Sequence, residues 1–94
     1  GVGLRMPTVH FTAHLNGVAP PEPMRVSGAC VLEALNQVFA VHPRLEGYIL
    51  DDQGCLRKHV AIFVDGELLR GDSILDLHVA ETTEVHVLQA LSGG

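Results

Sequence analysis

Apolar residues alternate with polar ones from Val9 onward, with Val9, Phe11, Ala13 and Leu15 on one side and His10, Thr12 and His14 on the other. A period of two over this length predicts a half-buried strand across 9–15. Asn16-Gly17 is a strong turn dipeptide, and Pro20-Pro21-Glu22-Pro23 is too rich in proline for a central strand. A loop therefore leads into a short second strand around Met24 to Val26. The period then lengthens. Val31, Leu32, Leu35, Val38 and Phe39 recur at the spacing of one helical face, with Glu33, Asn36 and Gln37 opposite. Ser27 is the expected N-cap. Pro43 lacks an amide donor and disfavours helical geometry at His42, so one helix of about 13 residues should end before it.

Residues 44–58 are mixed, with Asp51-Asp52-Gln53-Gly54 as a turn. Val60, Ile62 and Val64 alternate with Ala61 and Phe63, and Asp65-Gly66 is a hairpin turn before a return strand at Glu67 to Leu69. Ser73 to Leu77 read as a short helical turn, and Glu84 to Gln89 as a last strand with Val85 and Val87 inward. Each strand has a single apolar side to bury, and the helix after the first hairpin must cover it. The expected class is α+β: a mixed sheet of four to five strands covered by one helix, with first and last strands parallel at the centre. That is the β-grasp arrangement, and it leaves the tail projecting from a central strand. The expected organisation is an N-terminal extension or cloning remnant over 1–7, a domain over 8–89 and a flexible tail over 90–94.

Composition narrows the class. Of 94 residues 47% are apolar and 18% charged, which excludes intrinsic disorder and fits one small core. The longest apolar run, Val60-Ala61-Ile62-Phe63-Val64, is far short of the roughly 20 residues a membrane helix needs, so no membrane partner and a cytoplasmic location are expected. The formal net charge is −5 and the cations are scattered, with Arg57-Lys58 their one adjacent pair, so no nucleic-acid partner is expected. Cys30 and Cys55 lack metal or redox spacing and are expected as reduced thiols, Cys30 facing the core or a capping turn.

Six histidines raise the question of a metal. His10 and His14 share a strand face but stand about 13 Å apart, too far for one zinc ion without intervening ligands. No ligand cluster is visible along the chain, so no metal is expected. Ser, His and Asp are present without a nucleophile elbow, and no catalytic residue intrinsic to the chain is expected.

The tail is the informative segment. After Gln89 the alternation stops, and Ala90-Leu91-Ser92-Gly93-Gly94 ends in two glycines, a pair that chance puts there in roughly 0.5% of chains. Without a Cβ, a diglycine threads a channel too narrow for other residues and presents the Gly94 carboxylate. A carboxylate is inert as an acyl group. A partner holding Mg-ATP converts it to an acyl-adenylate with pyrophosphate as leaving group, after which a sulfur nucleophile replaces AMP.

The segment His59-Val60-Ala61-Ile62-Phe63-Val64-Asp65-Gly66-Glu67, the strand Glu84 to Leu88, Phe11-Thr12-Ala13, His42-Pro43 and terminal Gly93-Gly94 together resemble the MoaD/ThiS family of ubiquitin-like sulfur carriers. Where that family often has a Gly-Asp turn before the last strand, this chain has Ala80-Glu81-Thr82-Thr83. The resemblance implies adenylation of Gly94 by an adenylyltransferase similar to ubiquitin-activating enzymes, followed by a C-terminal thiocarboxylate that donates sulfur in cofactor or metabolite biosynthesis. It implies a sulfur-donor enzyme and a sulfur-accepting synthase as partners, with ATP and magnesium used by the activating enzyme and no cofactor bound by the carrier. Ser92 and Gly93 belong to the tail that those partners grip. The alternatives are a ubiquitin-like modifier conjugated through Gly94 and the small subunit of molybdopterin synthase.

Alternation also assigns a second surface. Ala61, Phe63, His86 and Leu88 should lie on the sheet face away from the helix, with Phe63 and Leu88 as exposed apolar residues and Arg70 at the flank. Two apolar side chains on adjoining strands form a candidate partner-binding face.

Overall fold

A computed structural model of the chain describes residues 6–11, 22–69 and 71–89. Its elements are β1 (Thr8–Phe11), β2 (Met24–Arg25), α1 (Val31–Val41), α2 (Pro43–Ile49), β3 (Val60–Val64), β4 (Glu67–Leu69), a 3-10 turn (Asp72–Asp76) and β5 (Glu84–Gln89). The five strands form one mixed sheet in the order β2-β1-β5-β3-β4. β1 and β5 run parallel at the centre, with Val9 opposite Val85 and Phe11 opposite Val87. The flanking pairs, β1 with β2, β3 with β5 and β3 with β4, are antiparallel. The expected β-grasp arrangement is present.

The period-two pattern decides which side is buried. Val9, Ile62, Val85 and Val87 are fully buried on the inner face, against Val31, Ala34, Leu35 and Val38 of α1. Burying such side chains contributes about 1.5–3 kcal/mol each, which makes this layer the main source of stability. Asp65 and Gly66 both take positive φ, 51° and 87°, the backbone of the two-residue turn that matches strand twist. The Asp65 carboxylate also accepts the Glu84 amide at 2.9 Å while the Asp65 amide donates to the Glu84 carbonyl at 2.8 Å, tying the β3–β4 turn to the start of β5.

Three local expectations are revised. Ser27 does not cap the helix; its hydroxyl donates to the Gln37 side chain at 3.3 Å. The chain stays extended as far as Cys30, because Cys30 bridges His78, with Val31 donating to the Leu77 carbonyl and Val79 to the Ala29 carbonyl. Cys30 is therefore the N-cap, a half-buried thiol at a capping turn, and Glu33 accepts the Ala29 amide at 2.8 Å. Pro43 ends α1 as expected, but it also opens a second helix, since a first-turn proline forfeits no hydrogen bond. α2 buries Leu45 and Ile49, four residues apart on one face, so two helices cover the sheet rather than one.

β1 is described as far as Phe11, so the remainder of the strand expected over 9–15 and the Asn16-Gly17 turn lie outside the described residues. Among the described residues no helix is long and apolar enough to cross a membrane.

Candidate functional site

The site is built around β5. This strand is paired with β1 over Glu84 to Val87 and with β3 over Val85 to Gln89, and its last residue, Gln89, pairs with Val60 at the start of β3. Five residues follow Gln89 in the sequence, a reach of at most about 18 Å. Ser92, Gly93 and Gly94, the expected tail and adenylation residues, lie outside the described residues, as does Arg70.

Beside the end of β5, the residues leading into β3 line a shallow groove formed by Asp51, Cys55, Leu56, Arg57, Lys58 and His59. The turn that shapes it is fixed by Asp51. One carboxylate oxygen accepts the Gln53 amide at 2.8 Å and the Cys55 amide at 3.0 Å. The Cys55 amide and then the Gln53 amide hold the Asp51 carboxyl below the usual carboxylate range against an opposing effect of desolvation, with a lesser contribution from the Arg57 charge. Arg57 is oriented by its Nε donating to the Gly47 carbonyl at 2.7 Å. Arg57 and Lys58, the one adjacent cation pair of the sequence, shortly precede Val60, the partner of Gln89.

The outer face carries two rows of side chains set by strand register. Across the first row, His10 faces His86, His86 faces Phe63, and Phe63 faces Leu68. In the second row Leu88 faces Ala61, one step nearer the end of β5. Ala61, Phe63, His86 and Leu88 are therefore brought together on one face as expected. Phe63 and Leu88 are half-buried rather than exposed: Phe63 lies between β5 and β4, and Leu88 packs beside Ala61 of β3. The exposed apolar residue of this face is Leu68, 40% accessible on the edge strand β4, which alternation alone did not single out.

Strand pairing also assembles a group invisible along the chain. The rings of His10 and His86 stack with centroids 4.1 Å apart and planes 6° from parallel. Nε2 of His10 is in hydrogen-bond contact with a carboxylate oxygen of Glu84. His10 and His86 are 76 residues apart in sequence, and only the parallel register of β1 on β5 makes them neighbours. Before β5, the turn at Ala80 to Thr83 is closed by the Thr83 hydroxyl accepting the Ala80 amide at 2.8 Å and by the Thr83 amide donating to the Ala80 carbonyl at 3.1 Å. These bonds do locally what a Gly-Asp turn would do.

Parallel first and last strands at the centre, helices on one face and a diglycine-ended segment after the last strand define a ubiquitin-like β-grasp protein. Neither the family models nor the curated proteins contain a match to the chain. Solved structures do match, over nearly the whole length. SAMP1 from Haloferax volcanii is 28% identical with a TM-score of 0.80, covering 95% of this chain and 99% of that one. The solution structure of small archaeal modifier protein 1 from Methanosarcina acetivorans gives a TM-score of 0.81 at 22% identity, with 98% and 99% covered. A chain of the Amycolatopsis orientalis BexX/CysO complex gives 0.79 at 24%, with 94% and 99% covered. At those lower identities the likeness is one of fold. The resemblance to the MoaD/ThiS ubiquitin-like proteins is borne out by these neighbours.

Proposed function

We propose that the chain is a sulfur carrier whose working group is the Gly94 carboxylate. The observation that carries this reading is the position of the diglycine: three residues separate it from a strand paired with two neighbours, in a protein whose fold matches small ubiquitin-like proteins over nearly its whole length. A rigid central strand fixes the direction in which the tail leaves, and glycine keeps it thin enough for a narrow active site.

In the proposed cycle, a carboxylate oxygen of Gly94 attacks the α-phosphorus of Mg-ATP on an activating enzyme and pyrophosphate leaves, giving an acyl-adenylate. Sulfide-level sulfur from a donor enzyme attacks the acyl carbon and AMP leaves, giving the thiocarboxylate. On a synthase the thiocarboxylate sulfur bonds to the acceptor, and water then cleaves the acyl–sulfur bond, leaving the sulfur on the acceptor and returning the Gly94 carboxylate. The chain is a co-substrate throughout; ATP and magnesium belong to the activating partner. The outer-face row of Phe63, Leu68 and His86, with Leu88 and Ala61 beyond it, is the surface on which those partners dock. The Amycolatopsis neighbour, a chain of a complex of CysO with BexX, supports a fold that works bound to another protein.

A second reading is favoured by the Haloferax neighbour, a small archaeal modifier protein. As a modifier, the same adenylate would pass to a lysine amine instead of to sulfur. Intact-mass measurement after incubation with Mg-ATP, activating enzyme and sulfur donor separates the two. A carrier gains the mass difference between sulfur and oxygen, whereas a modifier appears as isopeptide adducts on other chains.

A further inference from the structure

We propose that His10, Glu84 and His86 form a surface binding site for a zinc-class divalent cation. Their ligand atoms all lie within 4.8 Å of one another on the open face of the sheet. Neighbouring ligand atoms around a tetrahedral zinc are about 3.3 Å apart, so the widest separation closes by roughly 1.5 Å. The two rings are stacked nearly parallel, so binding requires them to unstack and turn until their in-plane nitrogen lone pairs converge with a Glu84 oxygen, a change of side-chain rotamers.

The backbone beneath is well suited to hold the ligands in place. Thr8 to Phe11 pair residue by residue with Glu84 to Val87, and the residues between the ligands, Val9 and Val85, are fully buried in the core. Ligands carried on rigid paired strands lose little freedom on binding. His10 and His86 already face each other with stacked rings, and Nε2 of His10 already contacts Glu84. A cation takes the place of the proton shared in that contact; the proton goes to Nδ1 of the same ring, or to solvent when both ring nitrogens carry one.

Two imidazoles and one carboxylate are the donor set of three-ligand zinc sites, which keep a fourth position for water or an incoming ligand. Nitrogen donors select late first-row metals, with copper(II) above zinc, and disfavour magnesium and calcium, which require oxygen. The fourth position opens on the face that carries Phe63 and Leu68, so a ligand from a docked protein can complete the coordination.

The test is a titration of the whole chain with zinc chloride at neutral pH under reducing conditions, read by native mass spectrometry and calorimetry. One zinc per chain is expected, with no corresponding binding of magnesium or calcium. His10→Ala and His86→Ala should each weaken binding at least tenfold and Glu84→Gln severalfold, while His59→Ala and the double variant Cys30→Ser/Cys55→Ser leave it unchanged. Histidine side-chain NMR on the unaltered protein gives a readout free of folding effects: zinc should shift the His10 and His86 ring signals selectively. Zinc binding that survives His86→Ala, ring shifts confined to other histidines, or no zinc bound at all would each overturn the proposal.

Discussion

Val60 and Gln89 face each other at the last rung of the antiparallel pair between β3 and β5, and the five residues ending in Gly93-Gly94 follow Gln89 in the sequence. The cations Arg57 and Lys58 lie just before that rung.

Stability should depend on the α1–sheet layer. Leu35 is fully buried between α1 and the inner face, so Leu35→Ala loses both transfer energy and packing. Denaturant unfolding should show a loss of about 2–5 kcal/mol. Removal of Gly93 and Gly94 should leave the midpoint within about 0.5 kcal/mol of the parent.

Two glycines should respond in opposite directions. A Cβ at Gly28 would stand 2.8 Å from the Ala34 amide nitrogen, a backbone atom that does not yield, so Gly28→Ala should destabilise. Gly47 lies within α2, where a Cβ meets nothing within 4 Å, and Gly47→Ala should raise stability by about 0.5–1 kcal/mol. Thermal melts of the two variants check the pair.

Acid sensitivity should localise in part to Asp51. Its carboxyl is held below the usual range first by the Cys55 amide and then by the Gln53 amide and Arg57. A depressed folded-state value means the contribution is complete above the unfolded value, about 3.9, and is lost as pH falls from there through the folded value. Asp51→Asn should therefore be less stable than the parent at neutral pH, and the gap should close in strong acid. Parallel denaturant curves across that range measure it.

The outer row should matter for docking and not for folding. Leu68 is exposed on an edge strand, so Leu68→Ser should change stability by no more than about 0.5 kcal/mol. It should raise the KM of the activating enzyme for this chain severalfold with kcat little altered. An unchanged KM would remove β4 from the interface.

Much of this architecture was legible from periodicity. Val60, Ile62 and Val64, and Val85 and Val87, announced their inward side directly, and Asp65-Gly66 announced its turn. What stayed hidden depends on contacts between distant segments. α1 begins at Val31 rather than after Ser27 because Cys30 is held extended by His78, nearly fifty residues away. α2 was obscured because proline signals a helix end and a helix start alike, and only the spacing of Leu45 and Ile49 marked it. The grouping of His10, Glu84 and His86 required the parallel register of β1 on β5, which no local pattern encodes. Half-burial of Phe63 and Leu88 likewise reflects neighbouring strands rather than alternation.

The central claim is that the Gly94 carboxylate accepts AMP and then sulfur. Intact-mass spectrometry of the chain after incubation with Mg-ATP, an activating enzyme and a sulfur donor tests it most directly, with pyrophosphate release followed in parallel. The expected result is ATP-dependent pyrophosphate release and a mass gain equal to sulfur replacing oxygen, both lost when Gly94 is deleted. An unchanged mass with no pyrophosphate, or identical behaviour of the chain lacking Gly94, would contradict it.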